Sequence, residues 1–202
     1  MGKGVRDLDR GYSRILRALN SFRGKEIVTG LQAGDKTEDG SMDVARLGAI
    51  HEFGASIDMR ARKQTVYRKL NAKGNKFVKK GRFVSADKSN FAQDFSVGAH
   101  TINIPERSFM RSTYDDKNRS WNDKAIQQIK LVASGKKDAA GAMGVIGLTI
   151  QRDIQKKIVD GPFTPNAPAT VRNKKSARPL IDTGRVRQSV RFVVRARGRN
   201  KQ

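Results

Sequence analysis

The chain has 202 residues, with 42 Lys and Arg against 19 Asp and Glu, two His and no Cys. That length suits one domain with a real core and room for an inserted arm, and the net charge of +23 favours polyanionic partners: nucleic acid or an acidic protein surface. Disulfides, thiolate metal sites and cysteine nucleophiles are excluded, and His51 and His100 are too few for a multi-histidine metal centre.

The N-terminal MGKGVRDLDRGY has no apolar signal region. No run approaches the roughly 18 apolar residues of a membrane span. The expectation is a soluble chain made in a cytoplasm. Residues 5–22 then give the cleanest helical spacing: Val5, Leu8, Tyr12, Ile15, Leu16, Leu19 and Phe22 share a face, which is read as core, with Arg6, Arg10, Arg14 and Arg17 turned to solvent. Gly24 stops this helix, and residues 26–31 read as a short strand.

Residues 34–43, GDKTEDGSMD, echo a calcium loop through Asp35, Asp39, Asp43 and Gly40. Thr37 at position three and Arg46 at position twelve break the ligand pattern, so a solvated turn is the simpler reading, with Ser41 or Asp43 capping the next helix. Residues 43–53 predict that helix, with Val44, Leu47, Ile50 and Phe53 inward and Gly54 as its stop. His51 and Glu52 are adjacent, so they point apart on a helix and form no dyad.

Between residues 59 and 82 there are ten cations and no acid: Arg60, Arg62, Lys63, Arg68, Lys69, Lys73, Lys76, Lys79, Lys80 and Arg82. QTVYRKL and NKFVKKGRFV read as two strands of a hairpin turning at residues 71–74, with Tyr67, Phe77 and Phe83 interleaved among the cations. Ten unopposed cations exceed what blunting of a strand edge needs. This arm is therefore the candidate contact to DNA or to a partner protein, touching phosphates without reading bases.

Residues 90–104 look less regular and end in the strand-like HTINI. Pro105 marks a helix start, Ser120-Trp121-Asn122-Asp123 a second one running to Gly135, and Trp121 a core anchor. The adjacent Asp115 and Asp116 read as solvated. Residues 138–159 form a further helix whose Gly141, Gly144 and Gly147 cost intrinsic helicity and offer close approach to a neighbouring backbone. Residues 161–179 are an extended proline-bearing loop, and 195–202 a flexible basic tail.

The stretch that closes the chain, PLIDTGRVRQSVRFVV at residues 179–194, reads as a clasp. Leu180 and Ile181 anchor it, Asp182 or Thr183 caps a short helical turn, Gly184 permits a bend, and a Val/Phe-rich strand leaves after Ser189. Asp-Thr-Gly is also the aspartic-protease triplet. Arg185 follows directly, and a nearby cation opposes the shared-proton state of that chemistry.

This stretch resembles the C-terminal signature of tailed-phage virion morphogenesis proteins, the tail-completion or neck family that joins head to tail. AIHEFG at residues 49–54 and IPERSFMR at residues 104–111 match the same family in order and spacing. The resemblance spans about residues 45–194. It implies a structural virion protein at the head–tail junction, assembled as a ring (hexameric by the resemblance) around the DNA channel. Its neighbours would be head connector or adaptor proteins and tail tube or tail terminator proteins, with packaged DNA as a further contact and no membrane. No catalytic residue, cofactor or metal is implied. The expected fold is α+β, with helices packed on one side of a mainly antiparallel sheet and an inserted basic β-hairpin, in a single domain of residues 1–202 with a β-rich insertion at 57–104. The alternative is a non-enzymatic nucleic-acid-binding protein using the basic arm.

Overall fold

The computed structural model describes residues 11–173 and 178–198, apart from the side chains of Lys79, Lys80, Ala169 and Asn173. It is an α+β protein in which every strand pair is antiparallel. The chain divides into two compact units, residues 1–54 with 105–202 and, inserted between them, residues 55–104.

In the first unit, helix α1 (Tyr12–Asn20) leads to strand β1 (Lys25–Leu31), and helix α2 (Val44–Phe53) follows. Gly24 turns the chain at φ 71° and Gly54 ends α2 at φ 72°, a backbone region that a side chain disfavours. The N-terminal stripe departs from expectation. No residue of α1 is buried, and Tyr12 is 67% exposed. The helix is held by Ala18 and by the nearby Phe22, which pack on Val132, Ala139 and Ala142, so the stripe is largely uncovered. Val5 and Leu8 lie outside the described residues.

Helix α3 (Met110–Ala133) runs unbroken for 24 residues and packs beside α4 (Ala139–Asp160). Two expected boundaries fail here. Pro105 begins no helix: residues 105–108 are irregular and the helix starts at Met110. Ser120 begins none either: its hydroxyl donates back to the Lys117 carbonyl within the helix, where no glycine or proline interrupts the ladder. Trp121 is half-buried and donates Nε1–H to Asp153 of α4 at 2.7 Å. Asp116 is likewise tied to α4, by Lys157 at 2.7 Å, and that hydrogen-bonded cation holds its carboxyl below the usual aspartate range. The Asp138 side chain caps α4 by accepting from Gly141 N–H.

The described final segment includes a short helix, α5 (Pro168–Asn173), inside what the sequence presents as an extended loop. Helix α6 (Arg185–Ser189) and strand β6 (Val190–Ala196) follow, and β6 pairs with β1 from Lys25↔Ala196 to Leu31↔Val190. Helix α4 covers this two-stranded sheet. Gly147 serves that contact: a Cβ there would strike the Phe192 ring of β6, so the glycine admits a side chain, not the backbone that its spacing suggests. Gly144 faces open space. The core joins Val44, Phe109, Ile154, Ile158, Leu180, Val186 and Val190.

The inserted unit is a ribbon. Strand β2 (Ala55–Met59) pairs with β5 (His100–Ile104), and β3 (Arg62–Arg68) pairs with β4 (Phe91–Val97). Ala55↔Ile104 and Arg68↔Phe91 belong to one continuous register, interrupted only at residues 60–61 and 98–99. The expected hairpin between QTVYRKL and NKFVKKGRFV is therefore not the pairing that forms. A turn does occur at residues 71–74, where Gly74 N–H bonds the Asn71 carbonyl, but beyond it only Leu70 and Phe77 bridge. The next residues coil into short 3-10 turns at Val78–Gly81 and Ala86–Lys88.

Candidate functional site

Glu52, near the end of α2, is 4% exposed. Its two oxygens accept from the start of α3, with the Arg111 side-chain Nε–H a further donor to Oε1 at 3.3 Å. Oε2 takes Phe109 N–H at 2.8 Å and Met110 N–H at 2.9 Å, and Oε1 takes Arg111 N–H at 2.9 Å and the Ser108 hydroxyl at 2.7 Å. Phe109 occupies the cap position of α3 and has no side-chain acceptor to offer. A carboxylate 57 residues earlier in sequence does the capping, where the free N–H groups and the helix dipole both favour negative charge. Burial alone pushes this carboxyl up. The N–H groups of Met110 and Arg111, the Ser108 hydroxyl and Phe109 N–H outweigh it and hold Glu52 below the ordinary glutamate range.

Arg107 and Arg111 extend the junction to different partners. Arg107 is 5% exposed; its N–H bonds the His51 carbonyl at 2.7 Å, while its guanidinium reaches the residue 161–167 loop through the Thr164 and Pro165 carbonyls and Asn166 Oδ1. Burial lowers its pKa from the usual arginine value. Arg111 stays half outside: it bonds the Glu52 carbonyl at 2.8 Å and Glu106 at 2.6 Å, and lies 4.7 Å from the centre of the Phe53 ring. Phe53 is thus exposed beneath a cation instead of inward.

The clasp joins the same core. Leu180 is buried with Val44 and Phe109, Ile181 packs against that cluster, and Ser189 is buried at the end of α6. Gly184 makes the bend at φ 79° and itself holds the cap position of α6. The expected cap by Asp182 or Thr183 does not form: α6 has no side-chain cap bond, and both residues are exposed. Gly184 turns the chain into the helix at their expense, because its left-handed conformation moves the preceding side chains away from the free N–H groups.

A cleft of about 650 Å³ separates the clasp from the residue 37–42 loop. Asp35, Asp39 and Asp43, in and beside that loop, are engaged within the protein. Asp39 accepts from Thr37 at 2.6 Å and Ser41 at 2.8 Å, and those hydroxyls bring its pKa down to about 2. Asp43 pairs with Lys36 and Asp35 with Arg191. Among the described residues no group of His, Asp and Glu is set to hold a metal.

On the ribbon unit, Arg60, Arg62, Lys63, Lys69, Lys73, Lys76 and Arg82 are exposed. Arg68 is not. Its guanidinium lies 5.2 Å from the centres of both the Phe77 and Phe83 rings, stacking the aromatics of the 77–83 segment onto β3. The side chains of Lys79 and Lys80 lie outside the described residues. No described residue of this unit is buried.

No family model matches the chain, and no curated protein or solved structure matches it. Among the described residues no helix is long and apolar enough to cross a membrane.

Proposed function

We propose that the chain is a structural protein of a tailed-phage virion, a tail-completion or neck component that joins the head connector to the tail as a ring around the DNA channel. One observation carries this reading. The three stretches that bear the resemblance are far apart in sequence, yet they meet in one junction: Glu52 caps residues 109–111, Arg107 holds the His51 carbonyl, and Phe109 packs with Leu180, Val186 and Val190. Those motif residues are occupied with one another, in helix capping and core packing. This is what a folding and assembly signature requires, and it leaves no activated nucleophile or acid–base pair at the junction.

The exposed cations of the ribbon unit suit lumen-facing or neighbour-facing arms in such a ring, against DNA or an acidic protein. Cryo-electron microscopy of the particles with which the chain is made tests the reading. Density tracing residues 179–194 in a ring at the head–tail junction supports it; absence of the chain from finished particles removes it. The same unit favours a second reading, a free nucleic-acid-binding protein, because it combines unopposed cations with the exposed rings of Phe83 and Phe95. That reading takes first place if the chain is missing from particles and binds DNA with a steep salt dependence.

A further inference from the structure

The β1–β6 sheet has two outer edges, and among the described residues only one is partnered. Along β6, Phe192 N–H points outward and donates to Gln151 of α4 at 3.2 Å, and Gln155 of α4 donates to the Val190 carbonyl at 3.1 Å. In an antiparallel ladder the inward and outward groups alternate. The Gly24 carbonyl takes Arg197 N–H, which places even-numbered residues of β1 inward. The N–H and C=O of Ile27 and Thr29 therefore point off the free edge, and no hydrogen bond among the described residues reaches them. The Thr29 hydroxyl is also buried without a partner there.

Beside that edge run two apolar hollows of about 430 and 370 Å³ that share Ile27. One reaches Ile129 and Ile146, the other Tyr114, Trp121 and Ile150. Helix α3 packs on α4, and among the described residues no strand lies over it, leaving Tyr114 59% and Ile129 41% exposed. The sheet stops one strand short of covering α3.

The missing strand would be short, extended, uncharged and apolar on alternate residues, and this chain contains one. Strand β5, HTINI, has Ile102 and Ile104 on one face, opposite Ile57 and Ala55 of β2, while Ser56–Asn103 and Asp58–Thr101 hydrogen bonds occupy the other. Ile57 and Ile102 are 40% and 42% exposed. A two-stranded ribbon with no buried residue is marginal by itself in water and needs its apolar face covered. Of its two edges, β2 is guarded by Asp58, whereas β5 carries neither charge nor proline.

We infer that β5 of one copy adds to the free edge of β1 in a second copy, seating Ile102 and Ile104 in the hollows beside α3. Different patches meet in this contact, so it is head-to-tail, and repeated around an axis it closes a ring. The inference rests on the ring reading and names the surfaces that would build it.

Because the chain has no cysteine, introduced thiols report without background. Thr29→Cys and Ile102→Cys proteins, distinguishable by a mass tag, are mixed, assembled and mildly oxidised, with Thr29→Cys plus Thr65→Cys as the control pair. The expected product is a Thr29→Cys/Ile102→Cys heterodimer in excess of both homodimers and of the control. Rings seen by electron microscopy without that cross-link overturn the strand-addition contact and leave the neck reading standing. A protein carrying Thr29→Cys and Ile102→Cys in one chain is oxidised in parallel; a cross-link formed only inside single chains of it also overturns the contact, because the chain's own ribbon would then fill the groove. Neither rings nor cross-links removes both. Ile102→Lys supplies a second arm: its melting temperature stays near wild type, while ring yield falls roughly tenfold or more, since an unpaired ammonium does not enter an apolar groove. Unchanged ring yield in that variant overturns the contact.

Discussion

Glu52 shows how one side chain can join two distant parts of a fold. Removing it as Glu52→Ala orphans three backbone N–H groups at the start of α3, and the expected loss is at least about 2 kcal/mol in a denaturant titration. Its pH signature follows from the direction of its shift. The carboxyl is held below its ordinary 4.5, so the stabilisation is fully present above that value and drains as pH falls through the folded pKa. Glu52→Gln should therefore flatten the acid side of the stability–pH curve. Gly147 sets helix propensity against packing. Gly147→Ala should gain up to ~1 kcal/mol in propensity, but its Cβ collides with the Phe192 ring, and overpacking of that kind costs about 1–3 kcal/mol. We expect net destabilisation, and a change of sign when Phe192→Leu is added.

At the scale of elements, the clasp depends on Gly184. Its φ of 79° costs an L-residue about 1–2 kcal/mol, so Gly184→Ala should destabilise by that amount and Gly184→Asn by less. Asp182→Asn should leave stability within about 0.5 kcal/mol, because the side chain is exposed and caps nothing. A large loss from Asp182→Asn would contradict the geometry of α6. The clasp also shows which local signals hold. Gly184 as the bend, Leu180 as the anchor and the following strand are all visible in PLIDTGRVRQSVRFVV, since each depends on near neighbours in the chain. The identity of the cap is not, because capping by Asp or Thr and capping by a left-handed glycine share one sequence pattern.

At the scale of the molecule, the inserted unit is joined to the rest by residues that already lie side by side, Ala55 opposite Ile104. Replacing residues 55–104 with a short Gly-Ser linker should leave the other unit with a single cooperative unfolding transition, since every core residue is retained. Failure of that variant to fold would mean that the ribbon supports the core. If the arm meets DNA, replacing Lys63, Lys69, Lys73 and Lys76 with Gln should reduce the slope of log K against log salt by about 0.9 for each phosphate no longer neutralised. An unchanged slope would direct those cations to protein instead.

Legible in the sequence are the α+β class, the helices expected over residues 43–53 and 138–159, the strand expected at 26–31, and the anchor, bend and closing strand of the clasp. Their apolar periodicity and glycine stops act within a few residues, where chain geometry alone constrains the outcome. Long-range packing alone sets the pairing of β3 with a strand beyond the 71–90 segment and not with the nearer NKFVKKGRFV. It also decides that Glu52 caps a helix 57 residues away, that Arg68 turns under two rings and that the α1 stripe stays largely uncovered. Each of these depends on which surfaces meet across long loops, and a local pattern carries the same signal whichever partner it finds.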